Sequence, residues 1–164
     1  MGTKQFAIDR FSLTTTKTFD SVMAALDANV GHPTMPAFTN DIEAASSVAE
    51  VEEIVQRELG ESGFVMFVRF DLGAAIRKEQ SPGASRSVRL LIGNPLIMKE
   101  MVTELPDAGS YAPVTVLVDE RADGVHLSYD TVASALSHYE NAQALKVARD
   151  LDAKVERLLM AASS

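Results

Sequence analysis

The sequence predicts an α+β fold in which an antiparallel sheet is covered by helices on one face. Apolar residues recur at helical spacing in some segments and at strand spacing in others, without the regular strand-helix alternation of a parallel fold. A hairpin signal, Ala122-Asp123-Gly124, joins the strands predicted at 114–119 and 125–129. A hairpin makes its two strands antiparallel, and the helices must bury their apolar sides against the sheet.

The composition of the chain limits the classes of protein to which it can belong. A chain of 164 residues matches a single domain that buries about two thirds of its unfolded surface. Without cysteine it has no disulfide, thiolate metal centre or cysteine nucleophile. Its histidines, His32, His126 and His138, lack metal-ligand spacing, and no phosphate-loop, nucleophile-elbow or dinucleotide motif occurs. We therefore expect no metal and no cofactor.

Net charge and hydropathy limit the kinds of partner that the chain is expected to bind. The net charge of −8 disfavours nucleic acid, which attracts clustered Lys and Arg. No window resembles a membrane span, and the first residues lack the pattern of a signal peptide. We expect a cytoplasmic protein that binds neither nucleic acid nor membrane.

The first half of the chain predicts two strands and two helices. Residues 6–13 suit an edge strand, and Thr18 caps a helix that ends near Gly31. Residues 32–40 contain two prolines and predict a loop, which either lies on the surface or serves as a lid. The next helix begins at the capping box of Ser47 and Glu50 and faces inward with Val48, Val51, Ile54, Val55 and Leu59. Because both faces of 64–71 are apolar, we place that strand centrally in the sheet.

The second half opens on a sharp strand-to-helix junction. After a flexible turn region at 78–87, a strand at 88–92 runs into Gly93-Asn94-Pro95. Gly and Asn tolerate positive φ, and proline suits the first helical position. The junction either binds an anion at exposed backbone N–H groups or is a tight turn without a ligand.

Two further helices are predicted near the C-terminus. Asp130 is placed to cap a helix that starts near Thr131, or to lie close to the hydroxyl of Tyr129. A final amphipathic helix at about 141–160 should lie across the sheet.

These segments also carry an ordered set of short motifs: Glu61-Ser62-Gly63-Phe64, Phe67-Val68-Arg69-Phe70-Asp71, Ile92-Gly93-Asn94-Pro95, Tyr111-Ala112-Pro113-Val114, Asp123-Gly124 and Ser128-Tyr129-Asp130. In order and spacing the set resembles the domain of unknown function 302 family of mostly bacterial proteins. Ile92 and Val132 depart from the aromatic and the proline that many relatives have there.

The resemblance implies a fold similar to the TATA-binding-protein-like class, a curved antiparallel sheet with helices on one side, often dimeric. It does not imply DNA binding, because fold and function separate easily. It divides the single domain 1–164 into a strand-helix extension and loop (1–46), a family core (47–139) and a C-terminal helix (140–164). The family has no agreed activity.

Two strands offer candidate site residues. Arg69 and Asp71 share one face of their strand, and His126 and Ser128 share one face of another. A shared patch of arginine, carboxylate and imidazole would suffice to transfer a proton or grip an anion. The alternative is an ordinary ion pair on a solvated sheet face.

The sequence therefore leaves two main candidate functions open, one of binding and one of catalysis. The preferred one is a non-catalytic module, a homodimer, that binds a small ligand or a protein. Its binding site would be the concave side of the sheet or the Gly93-Asn94-Pro95 turn, with Arg69, Asp71, Gly93, Asn94 and His126 as candidate ligand-binding residues. The alternative is a small enzyme that uses Arg69, Asp71 and His126, and a purely structural role in an assembly is a third.

Overall fold

A computed structural model describes residues 2–79 and 86–164. Two short 3₁₀ helices, Pro106–Tyr111 and Ser137–Tyr139, accompany the regular elements. The strands are β1 (Arg10–Thr15), β2 (Val65–Asp71), β3 (Ser87–Gly93), β4 (Val114–Arg121) and β5 (Gly124–Asp130). The α-helices are α1 (Phe19–Asn29), α2 (Met35–Ala44), α3 (Val48–Glu58), α4 (Gly73–Glu79), α5 (Pro95–Glu104), α6 (Val132–Leu136) and α7 (Ala142–Ser163).

The five strands form one open sheet in the order β1-β5-β4-β3-β2, and every neighbouring pair is antiparallel. Helices α1, α5 and α7 pack against one face and enclose the main core. The predicted α+β class, with helices on one face of an antiparallel sheet, is confirmed.

The strand register separates two faces with different surroundings. The covered face carries the buried partners Val88 and Val118, Leu90 and Val116, and Ile92 and Val114. Because side chains alternate along a strand, the residues between them lie on the other face, which we call the open face. The open face carries Arg10, Ser12, Thr14, Val68, Phe70, Arg89, Leu91, Thr115, Leu117, Asp119, Arg121, His126, Ser128 and Asp130.

Strand β2 is an edge strand, so its predicted central position is wrong. Its apolar first half is buried for another reason, since Val65 packs in a second cluster with Phe38, Ile54 and Val55. Gly31 also forms a parallel bridge to Val65 from outside the sheet. Burial by helices therefore produced the same apolar pattern as a central strand.

The predicted loop at 32–40 is also wrong, because α2 begins within it, while the lid role of this segment stays a prediction. Pro36 lies in the first helical turn, where a missing backbone N–H costs nothing. Phe38 then anchors α2 in the second cluster.

The N-terminal caps predicted for two other helices, α1 and α3, are confirmed. Thr18 accepts a hydrogen bond from the Ser21 backbone at 3.2 Å, and Ser47 accepts one from the Glu50 backbone at 3.2 Å. The Glu50 carboxylate bonds the backbone N–H of Ser46 at 2.8 Å, one residue earlier than a capping box requires. Val48 is exposed, against the prediction that it faces inward.

Most of the remaining elements differ from their predictions in their bounds, whereas α4 was not predicted. The first strand lies at the edge as predicted but begins at Arg10, and the hairpin is confirmed with Arg121 opposite Gly124. The last helix is confirmed with Asn141 as its cap. In the predicted turn region 78–87, α4 extends to Glu79 and β3 begins at Ser87, while 80–85 lie outside the described residues.

Candidate functional site

A groove of about 520 Å³ crosses the open face. Four strands supply lining residues: Arg10 from β1, Ser128 and Asp130 from β5, Thr115 and Leu117 from β4, and Arg89 from β3. Ile8, which precedes β1, and Leu72, which follows β2, also line it. The groove exists because the main-core helices pack on the opposite face.

Most charged side chains of the open face are paired with an opposite charge. Arg10 forms a bidentate pair with Asp130, with N–O distances of 2.5 and 2.9 Å. The hydrogen bond from Arg10 lowers the pKa of the Asp130 carboxyl. Outside the groove, Arg121 pairs in the same way with Asp119. Within each pair the two charges neutralise each other, so the paired residues add little net charge to the open face.

Arg89 is different. It lies on β3 and is exposed, and no ion pair involves it among the side chains described in residues 2–78 and 86–164. Its described polar contact is from Nη2 to the Thr115 hydroxyl at 3.4 Å, which is long for a hydrogen bond. The groove therefore contains one positive charge that the described part of the fold does not neutralise.

The groove also has apolar walls. Leu117 lies on its floor next to Arg89 in the β3–β4 register. Ile8 and Leu72, both exposed by more than 40%, line it further out. Apolar surface beside a few polar groups is the usual make-up of a small-molecule site.

Two of the sequence-predicted site residues, Arg69 and Asp71, lie on the covered face. They line a separate cavity of about 320 Å³ together with Arg77 and Arg86. Arg69 donates to Asp27 at 3.0 Å, and Asp71 accepts from Arg77 at 2.6 Å, which lowers the pKa of Asp71. Both residues are thus engaged in ordinary ion pairs.

His126 lies on the open face of β5, with β4 and β3 between it and β2. Its ring contacts Asp123 at 2.8 Å and the Thr14 hydroxyl at 3.3 Å. The structure does not bring it together with Arg69 and Asp71, because the residues lie on opposite faces of the sheet. The predicted single patch of arginine, carboxylate and imidazole is therefore wrong.

Asn94 has a structural role at the strand-to-helix junction. Its side-chain oxygen accepts from the Leu96 N–H at 2.9 Å, and its amide donates to the Gly63 carbonyl at 3.0 Å. Asn94 has φ −131°, and the described glycines with positive φ are Gly63 and Gly124, so positive φ is not what Gly93-Asn94 provides. The Asn94 cap occupies a backbone donor that an anion at this helix start would need.

Gly93 provides close packing. A Cβ there would lie 3.2 Å from the Phe67 ring and 3.4 Å from Pro113. The turn borders a small cavity of about 200 Å³ whose walls are largely apolar: Phe67, Pro95, Ile97, Met98, Pro113 and Leu151.

A buried polar network was missed in the sequence. The hydroxyl of Tyr129 donates to Asp152 at 2.5 Å, and the backbone N–H groups of Val132 and Ala133 donate to the same carboxylate at 2.9 Å each. Asp152 thus caps α6, and the predicted cap, Asp130, is paired with Arg10. Burial raises the pKa of both Tyr129 and Asp152.

A signal for this network was present in the sequence. Asp152 lies four residues after Ala148 and three before Val155, so it falls on the apolar stripe of the last helix. A carboxylate on such a stripe needs buried hydrogen-bond donors.

Among the side chains described in residues 2–78 and 86–164, no three from His, Asp or Glu are grouped in a way that would hold a metal ion. No helix of the described chain is both long and apolar enough to cross a membrane.

Comparison with known proteins agrees with the fold. The family model described as "Domain of unknown function DUF302" matches residues 38–162, which extends beyond the predicted core at both ends. The crystal structure of an uncharacterised conserved DUF302 protein from Bacillus stearothermophilus has a similar fold, with a TM-score of 0.64. That likeness covers 93% of this chain and 96% of the other at 10% identity, so it shows the fold alone. No curated protein matches the chain.

Proposed function

We propose that this chain, which belongs to the DUF302 family, is a non-catalytic module that binds a small molecule in the open-face groove. The observation that carries the proposal is the groove itself, which combines apolar walls with an arginine that lacks an ionic partner in the described fold. Its volume of about 520 Å³ lies within the usual range of ligand sites.

The geometry supports binding over catalysis. The enzyme alternative relied on Arg69, Asp71 and His126 meeting in one concavity, and they lie on two faces. Asp130 is the carboxylate in the groove, and its lowered pKa keeps it ionised near neutral pH, bonded to Arg10. A general base works best when its pKa lies near the operating pH, so Asp130 is poorly suited to that role.

Native mass spectrometry of gently purified protein tests the proposal, because one spectrum reports retained small molecules and subunit number. We expect a reproducible extra mass on the wild type. Thr115→Trp places an indole in the groove beside Arg89 and should abolish that mass. Thr14→Trp is the matched control, since Thr14 lies on the same face but does not line the groove. Circular dichroism confirms that both variants are folded.

Retention of the extra mass by Thr115→Trp would place the ligand elsewhere and contradict the proposal. A bare wild-type protein that purifies instead with a stoichiometric protein partner would favour the protein-binding alternative. The predicted homodimer stays a prediction, which the subunit count of the same spectrum checks.

A further inference from the structure

We propose that the groove selects a small amphipathic monoanion, whose carboxylate binds Arg89 and whose apolar part lies along Leu117 toward Ile8 or Leu72. This inference rests on the proposed function and specifies the chemical class of its ligand.

The charge of the ligand follows from the ion pairs of the open face. Arg10 is neutralised by Asp130, and Arg121 by Asp119, whereas Arg89 has no such partner in the described fold. Within the described residues, the groove therefore presents one positive charge without an ionic partner. A single guanidinium matches a single carboxylate through two parallel hydrogen bonds.

Arg89 also has the position that an anchor needs. It lies on β3, an inner strand fixed by β2 on one side and β4 on the other. The Thr115 hydroxyl at 3.4 Å from Nη2 holds it only weakly, so a carboxylate can displace that contact at little cost. The same hydroxyl then remains within reach of the ligand head as a second donor.

The apolar part of the ligand follows from the walls. From Arg89 the groove passes Leu117 on β4 and reaches Ile8 beside β1, three strand spacings or about 14 Å away. Leu72 flanks the opposite end, after β2. A fully polar ion would leave these apolar side chains exposed to water. A hydrocarbon chain or ring would bury them, and the burial would add hydrophobic free energy to binding.

Isothermal titration calorimetry with three eight-carbon probes tests the inference: octanoate, neutral octanamide and the octylammonium cation. We expect the wild type to bind octanoate about tenfold more tightly than octanamide, because its hydrogen bonds are charge-assisted, and to bind octylammonium most weakly. Arg89→Met keeps an apolar stem and removes the charge, so octanoate should lose its advantage. Arg149→Met makes the same change in net charge at an exposed position of α7 and should leave the tenfold preference intact.

The outcomes separate the two proposals. Equal binding of octanoate and octanamide by the wild type would overturn the charge selectivity and leave the groove function standing. A preference for octanoate that survives in Arg89→Met would overturn the assignment of Arg89. Failure of all three probes to bind the wild type at millimolar concentration would overturn the amphipathic class, while a retained mass lost in Thr115→Trp would still support the groove.

Discussion

Two polar residues on opposite sides of the sheet, Asp152 and Arg89, differ in how far the described fold satisfies their polar atoms. On the covered side, Asp152 of α7 is 6% exposed and accepts hydrogen bonds from the Tyr129 hydroxyl and two backbone N–H groups. On the open face, Arg89 is exposed and its described polar contact is a long one to Thr115. The comparison teaches that the buried carboxylate of Asp152 is fully used by the fold, while the exposed guanidinium of Arg89, weakly bonded in the described fold, is available to a ligand.

The same contrast predicts which substitutions affect stability and which affect binding. Removing one member of a buried polar network leaves unsatisfied donors that cost about 1–3 kcal/mol each. Exposed ion pairs contribute about 0–1 kcal/mol at most. Variants of the buried network should therefore change stability, and variants of residues that line the groove should change ligand affinity.

The largest expected effect is that of Asp152→Ala. It leaves the Tyr129 hydroxyl and the N–H groups of Val132 and Ala133 without their acceptor, and we expect a loss of about 3 kcal/mol in the free energy of unfolding. Urea denaturation measures it, with the exposed Asp150→Ala on the same helix as the control. A loss below about 1 kcal/mol would mean that the network contributes little to the fold.

Asn94→Ala should have the next largest effect. The variant loses a helix cap and the bond to the Gly63 carbonyl, so we expect a loss of about 1–2 kcal/mol with unchanged octanoate affinity. Thermal unfolding and calorimetry on the same samples measure the two quantities. Weakened octanoate binding with unchanged stability would instead make the Gly93-Asn94-Pro95 turn the ligand site.

The pH dependence of stability isolates Asp152. Because its pKa is raised in the folded state, the fold binds its proton more tightly than the unfolded chain does. The stability of the wild type relative to Asp152→Asn should thus fall as pH rises from the ordinary Asp value, about 4, through the raised pKa. Urea denaturation of both proteins between pH 4 and pH 8 measures the difference. A relative stability that rises with pH would show that the pKa is lowered.

The smallest effect should follow His126→Gln. His126 is on the open face but does not line the groove, and its partner Asp123 is 69% exposed. We expect octanoate affinity to change less than twofold and stability to change by less than about 1 kcal/mol. A large loss of octanoate affinity in calorimetry would show that His126 belongs to the binding site and would contradict its position outside the groove.

Local signals made much of the fold predictable. The caps at Thr18 and Ser47, the hairpin before Gly124 and the final amphipathic helix depend on neighbouring residues, and all are confirmed. The sequence does not show how distant elements pack. Val65 is buried by α2 and α3, so β2 has the apolar pattern of a central strand although it lies at the edge. Asp152, the acceptor that caps α6, lies 20 residues further along the chain than Val132.

The site was predictable only within single strands. Alternation shows that Arg69 and Asp71 share a face, and that His126 and Ser128 share one. It does not show whether those two faces coincide, because that depends on strand order and register, and a bulge shifts the β2 register between Met66 and Val68. Arg89 was not predicted as a site residue, because whether an arginine has an ionic partner in the described fold depends on strand order and register.

Methyl-resolved NMR during a titration with octanoate tests the central claim most directly, because adjacent residues of one strand report on opposite faces. We predict shifts for the methyl groups of Leu117, Leu72 and Ile8 in the groove, and none for Val116 and Val118 beside Leu117 in β4. Shifts confined to Ile97, Met98 and Leu151, around the turn cavity, would contradict the account and move the binding site off the open face.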